Sequence, residues 1–228
     1  MSLEQRVRVA LVGGSPEAAS TATVRAVTAA SDVVVAIDRG LDALMAAGVP
    51  CDLFCGDADS VSTEGAERVR WAEAAQGNVE GDETSFEVVR YNPHKDDTDL
   101  GLALAEVSRR WPGAVLAATC FGGGNPDHLV GVLGRFAAWQ GSVQLIEDGY
   151  EGRILHAGDA WYVAGAVGSR FSFIPLTPEA VVSEYHMRWE LDHKHVELLS
   201  DLGISNVIEH NDATITCHSG TLACWVFL

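Results

Sequence analysis

Apolar positions come in two rhythms along this chain, and the rhythm changes near residue 150. In the first part, short continuous apolar runs alternate with stretches of helical spacing. Val7 to Val12, Val33 to Ile37, Asp52 to Cys55, Phe86 to Tyr91, Ala114 to Phe121 and Val143 to Ile146 read as strands. Between them, Glu17 to Ala30, Leu41 to Ala47 and Asp127 to Trp139 read as helices. The clearest helix follows Thr98, where Leu100, Ala103, Leu104, Val107 and Trp111 fall on one face. Thr98 predicts its N-cap, which places Asp99 in the first turn. Strands alternating with helices predict a mostly parallel α/β sheet.

Beyond residue 150 the helical spacing disappears. Short alternating runs follow at Trp161 to Val163, Arg170 to Leu176, Val181 to His186, Thr214 to His218 and Leu222 to Phe227, separated by Gly, Asp and Asn. The chain thus predicts two domains. Residues 1–150 form an α/β unit, and residues 151–228 a smaller all-β unit.

Composition narrows the function classes. The chain has 228 residues, 47% of them hydrophobic, and a formal net charge of −17. Such a surface argues against binding a nucleic-acid backbone, which needs a basic face. A nucleotide remains open as a substrate, because a divalent cation bridges carboxylates and phosphates. Cys51, Cys55, Cys120, Cys217 and Cys224 are odd in number and form no C-x-x-C pair, so no disulfide framework is expected. No leader precedes the first apolar run, and no run reaches the ~18 residues of a membrane helix. The expectation is a cytoplasmic protein with no membrane partner.

The candidate chemistry collects where strands end. In an open α/β sheet, ligands bind at the carboxyl ends of the strands. Asp38 follows one strand, and Asp57 and Asp59 follow another within Gly56-Asp57-Ala58-Asp59-Ser60. Asp96, Asp97 and Asp99 precede the clearest helix, and Asp127 follows Gly122-Gly123-Gly124. Taken singly, each has an ordinary structural reading as turn or cap chemistry. Taken together, carboxylates at one edge repel one another unless a cation lies between them. A hard cation such as Mg²⁺ suits oxygen ligands and commonly carries phosphates. The glycine triplet ahead of a helix lets backbone amides approach an anion, although no G-K-[ST] completes a P-loop. His193 and His195 lack zinc-site spacing to any cysteine and read as surface residues.

In this order and spacing, the motifs resemble the thiamine pyrophosphokinase family. Ala36-Ile37-Asp38-Arg39-Gly40 is similar to its acidic-glycine turn. Pro50-Cys51-Asp52 leading to Gly56-Asp57-Ala58-Asp59-Ser60 is similar to its strand ending in G-D-x-D-S. Lys95-Asp96-Asp97-Thr98-Asp99 is similar to K-D-x-T-D, and Gly122 to Gly124 with Asp127-His128 to its glycine turn closing in D-H. Trp189 and Gly203-Ile204-Ser205-Asn206 are similar to the aromatic segment and G-x-S-N turn of its β half. The chain departs from the family at Arg39, where a second glycine is usual, and at Ala58, where an aromatic is usual. Asn125-Pro126 also fill a stretch that usually carries an arginine.

The resemblance implies an α/β catalytic domain that binds nucleotide and metal, followed by a C-terminal β-sandwich for thiamine binding and dimerisation. It implies transfer of a pyrophosphoryl group from ATP to the hydroxyl of thiamine, giving AMP and thiamine diphosphate. It implies that Asp57, Asp59 and Asp99 hold Mg²⁺, with Asp96 in the catalytic set. Asp96 or Asp127 takes the hydroxyl proton or holds a second metal, and the sequence does not choose between them. Asp38, Arg39, Lys95, Thr98, Gly122, Gly123, Asp127 and His128 are the implied nucleotide contacts. Trp189, Ser205 and Asn206 are the implied thiamine contacts, in a homodimer whose site is shared between subunits. Two other readings keep the scaffold: a different hydroxylated acceptor, and a non-catalytic sensor of nucleotide or thiamine.

Overall fold

A computed structural model describes residues 6–75, 86–91 and 97–228. The backbone divides into two compact units, Met1–Arg135 with Trp139–Gly141, and Phe136–Ala138 with Ser142–Leu228. The division falls ahead of residue 150, where helical spacing ends. β6 (Val143–Glu147) pairs antiparallel with β7 (Tyr150–His156) across a tight turn, so it goes with the second unit.

The first unit carries a parallel sheet of order β5-β1-β2-β3-β4. Its strands are β1 (Arg8–Val12), β2 (Val33–Ile37), β3 (Leu53–Gly56), β4 (Glu87–Arg90) and β5 (Val115–Thr119). The inner strands are apolar over almost every residue, as both faces of a parallel sheet are covered. The helices are α1 (Thr21–Ala29), α2 (Gly40–Ala47), α3 (Thr63–Ala75), α4 (Asp99–Arg110) and α5 (Pro126–Ala137). Parallel α/β organisation is therefore as the alternation predicts. α1 starts later than expected, because the Ser20 hydroxyl accepts from the Thr23 amide and sets the start there. α3 was not legible in the sequence. It buries only Gly65, Val69 and Ala72, so its apolar stripe is too thin to register.

The second unit is a sandwich of two antiparallel sheets. One contains β6, β7, β14 (Thr221–Phe227), β9 (Arg170–Pro175) and β12 (Asn206–Val207) in that order. The other runs β11-β10-β13-β8, with β8 (Ala160–Val163), β10 (Glu179–Tyr185), β11 (Leu191–Glu197) and β13 (Ala213–Ser219). Phe171, Phe173, Leu222 and Val226 of one sheet meet Trp161, Val182, Ile215 and Val196 of the other. β11 escaped the sequence reading because its LDHKHVE has one buried residue, Val196, and hence no alternation. Both His193 and His195 are exposed there. All five cysteines are free thiols. No helix among the described residues is long and apolar enough to cross a membrane.

Candidate active site

Parallel register aligns the strand ends that carry the candidate chemistry. Val12 faces Ala36 and Thr119, and Ile37 faces Cys55, so the loops after β1, β2, β3 and β5 leave from one edge. The β2 and β3 tips are stitched directly. The Asp38 amide donates to the Cys55 carbonyl at 3.1 Å, and Asp38 Oδ1 accepts the Ala58 amide at 3.1 Å. Asp57 Oδ1 accepts the Asp59 amide at 3.1 Å, which folds the tip of β3 into a tight loop.

This stitching has a backbone cost. Asp38 at φ 46° and Ala58 at φ 62° both sit in the left-handed region. Gly56 is required for space: a Cβ there would stand 2.1 Å from Asp38 Oδ1. Gly40 is required likewise, since its Cβ would stand 1.9 Å from the Val12 carbonyl oxygen. The two glycines let a carboxylate and a helix start crowd onto the sheet edge.

The product is a carboxylate group. One oxygen each from Asp38, Asp57 and Asp59 lie within 4.8 Å of one another. Asp38 is 8% exposed, Asp57 is half-buried and Asp59 is exposed. Asp99, in the first turn of α4, hydrogen-bonds Asp38. Burial, reinforced by the charges of Asp99 and Asp57, pushes the Asp38 carboxyl up to about 7; the Ala58 amide opposes the shift. Thr98 caps α4 as predicted, its hydroxyl accepting the Gly101 amide at 3.1 Å. Oxygen-only donors crowded at a strand edge fit a small hard divalent cation, which removes the repulsion that otherwise favours a proton.

The structure sorts the other predicted residues. Asp38, read from sequence as a nucleotide contact, has its carboxyl inside the group of Asp57 and Asp59. Asp97 is committed elsewhere, in an ion pair with Arg135 of α5. Lys95 and Asp96 lie outside the described residues. Arg39 is exposed beside the first loop, its Cβ close to Gly14, and its Nε donates to the Ser60 carbonyl at 3.2 Å. It therefore spans the tips of β1 and β3. Gly123 and Gly124 both adopt left-handed φ, 74° and 73°. The Ser15 hydroxyl donates to the Gly122 carbonyl, tying the glycine triplet to the loop after β1. Asp127 and His128 are exposed at the head of α5.

In the second unit, Trp189 is 59% exposed on the connection between β10 and β11. Asn206 is buried beneath it, while Ser205 is exposed at φ 64° with its amide donating to Ser172 Oγ. Glu184 is 1% exposed, and its Oε2 accepts from the Asn206 side-chain amide at 3.2 Å. A Glu inside an alternating strand gives no local sign that it points inward.

Two family descriptions match this chain. The family description "Thiamin pyrophosphokinase, catalytic domain" matches residues 24–146, and "Thiamin pyrophosphokinase, vitamin B1 binding domain" matches residues 164–222. The chain belongs to the thiamin pyrophosphokinase family. It is accordingly an enzyme of that family, as the strand-end motifs led one to expect. A thiamin pyrophosphokinase family protein from Enterococcus faecalis superposes with TM-score 0.75 at 26% identity, covering 97% of this chain and 99% of that one. The thiamine pyrophosphokinase from Bacillus subtilis gives TM-score 0.76 at 22% identity, over 96% and 98% of the two chains. That from Candida albicans gives 0.76 at 13% identity, over 98% and 89%. These last two show the shared fold. Comparison with curated protein sequences gives no match.

Proposed function

We propose that this chain is a Mg²⁺-dependent thiamine diphosphokinase that transfers the pyrophosphoryl group of ATP to the hydroxyl of thiamine. The observation that carries the reading is the carboxylate group of Asp38, Asp57 and Asp59, with Asp99 against Asp38. Asp57, Asp59 and Asp99 would hold the cation, with Asp38 beside them. The cation would neutralise phosphate charge and polarise the transferred group. The chain's own contribution is placement. The left-handed turns at Asp38 and Ala58 fix the carboxylates before any ligand arrives, so little reorganisation is left for the reaction.

The thiamine hydroxyl oxygen bonds to the β-phosphorus, the bond from that phosphorus to the α,β-bridging oxygen breaks, and AMP departs with that oxygen. The hydroxyl proton passes to a carboxylate, for which Asp127 and Asp96 are the candidates. Arg39, set between the first and third strand tips, is placed to meet phosphate oxygens in a chain whose glycine turn carries Asn125-Pro126. Lys95, Thr98, Gly122, Gly123 and His128 complete the nucleotide contacts in this reading. Trp189 offers an exposed indole to a cationic aromatic ligand, with Ser205 beside it. The same reading makes the protein a cytoplasmic homodimer with a shared site. Leu129 and Val130 of α5, 38% and 65% exposed, are the kind of surface that a second copy covers.

The test is incubation with ATP, Mg²⁺ and thiamine, followed for AMP and thiamine diphosphate together, beside Asp59→Asn. Both products, lost in the variant, support the reading. AMP without thiamine diphosphate points to another acceptor or to hydrolysis, and no AMP at all points to a sensor.

A further inference from the structure

A carboxyl lies buried in the core of the β-sandwich. Glu184 lies on β10, opposite Leu191 on one side and Ile215 on the other, and is 1% exposed. Its Oε1 is buried without a hydrogen-bond partner among the described residues. Its Oε2 has one, the side-chain amide of Asn206 at 3.2 Å. The fully buried Cys224 lies close enough to feel its charge. Burial pushes Glu184 up to about 7, and the Asn206 amide opposes the shift. A half-satisfied buried carboxyl costs free energy that an apolar residue of the same length would not.

What the carboxyl does is fix Asn206, and Asn206 has no capacity left over. One Nδ2 proton goes to Glu184 Oε2, and the other to the Trp189 carbonyl at 2.8 Å. Oδ1 accepts the Trp189 amide at 3.1 Å and the Val207 amide at 2.9 Å. Both backbone groups of Trp189 are therefore held by one side chain. The Arg188 amide, bonded to the Val207 carbonyl at 2.9 Å, and the Met187–Ile208 bridge continue the attachment. A flipped Asn206 amide would set its oxygen against the Glu184 carboxyl and its NH₂ against the Trp189 N–H. Glu184 thus favours the orientation in which Trp189 is gripped at both ends, while its indole stays 59% exposed.

We propose that Glu184 is a positioning residue for the substrate's ring, acting through Asn206 to hold Trp189 in its presenting geometry. The proposal rests on the reading of Trp189 as the thiamine contact. It also reassigns Asn206 from touching substrate to gripping the residue that does.

The experiment is steady-state kinetics of the full chain with thiamine and ATP varied separately, for wild type, Glu184→Met, Glu184→Gln and Asn206→Ala. Met keeps the length and loses the acceptor; Gln keeps an acceptor oxygen. Glu184→Met is expected to raise KM for thiamine about five- to tenfold, the value of one buried hydrogen bond, with kcat and KM for ATP within about twofold. Glu184→Gln restores wild-type KM. The double variant Glu184→Met/Asn206→Ala is no worse than Asn206→Ala alone, since the two act in series. Should Glu184→Met not fold, Glu184→Leu is the second acceptor-free variant, and circular dichroism checks each protein. Unchanged thiamine KM in the acceptor-free variant overturns the proposal. So does a Gln variant as impaired as Met, or a parallel fall in kcat and rise in both KM values. Wild-type protein that forms no thiamine diphosphate overturns the underlying reading, and this proposal with it. Wild-type turnover with an unmoved KM overturns this proposal alone.

Discussion

Asp38 and Glu184 are buried carboxyls in different units, and both are pushed up to about 7, yet they are held there by different means. Glu184 is raised by burial alone and partly relieved by Asn206. Asp38 is raised by burial and again by the charges of Asp99 and Asp57. A cation can relieve the second cause and cannot reach the first. Both backbone groups of Trp189 are held by the Asn206 side chain, while Glu184 Oε1 beside it is left without a partner among the described residues. The strand-end group is crowded with like charge on a backbone in the left-handed region, an arrangement that a cation would relieve. In the function proposed above, chemistry would fall to the strand-end group and placement to the corner at Trp189.

The comparison breaks most easily at Asp59. Asp59→Asn is expected to lower the rate of AMP formation at least about a hundredfold, the cost of losing one electrostatic contact in a preorganised site. A variant within tenfold of wild type would mean that the group does not hold the cation. Next in size is the cation itself. Mg²⁺ at about a hundred times its dissociation constant should stabilise the fold by about 2.7 kcal/mol, read as a rise in Tm, and Asp59→Asn should lose most of that rise. No response in wild type would leave the carboxylates as turn residues.

Asp38→Asn sharpens the contrast from the other side. The amide keeps an oxygen for the Ala58 N–H and removes a charge that Asp57 and Asp99 oppose. Without metal, the variant should be more stable by about 1–2 kcal/mol, a rise in Tm of roughly 2–8 °C, while activity falls. Destabilisation instead would show that the crowding is not the dominant strain.

The smallest effect lies in the sandwich. Glu184 has a folded-state pKa raised above its ordinary 4.5, so the folded protein binds the extra proton between about 4.5 and 7. Its stabilising contribution is complete below about 4.5 and is lost as pH rises through about 7. Stability should therefore fall over that window, by at most about 1.4 kcal/mol per pH unit from this group, and Glu184→Gln should remove that part of the slope. Denaturant midpoints at pH 5 and 8 measure it. Identical slopes in the two proteins would place the proton elsewhere.

Much of this molecule is legible because it is local. Period-two and period-3.6 spacing mark elements whose residues are neighbours in the chain, and Thr98 caps α4 through a contact three residues away. What stayed hidden was either weakly patterned, as in α3 and β11, or decided by contacts far along the chain. Of the aspartates expected at the strand ends, Asp38, Asp57 and Asp59 meet. Which of them meet was not readable, because Asp97 is drawn to Arg135, 38 positions on, and Asp38 to the loop 20 positions on.

The sequence by itself determined the α/β alternation, the change to β structure, the carboxylates at strand tips and the family motifs, since all of these are written in spacing and turn chemistry. Tertiary structure alone decided that β2 lies beside β3, bringing Asp38 into the group of Asp57 and Asp59. It alone decided that Asn206 spends its whole amide on Glu184, Trp189 and Val207. Strand order and the direction in which a side chain points depend on what packs against them, and no stretch of sequence carries that information alone.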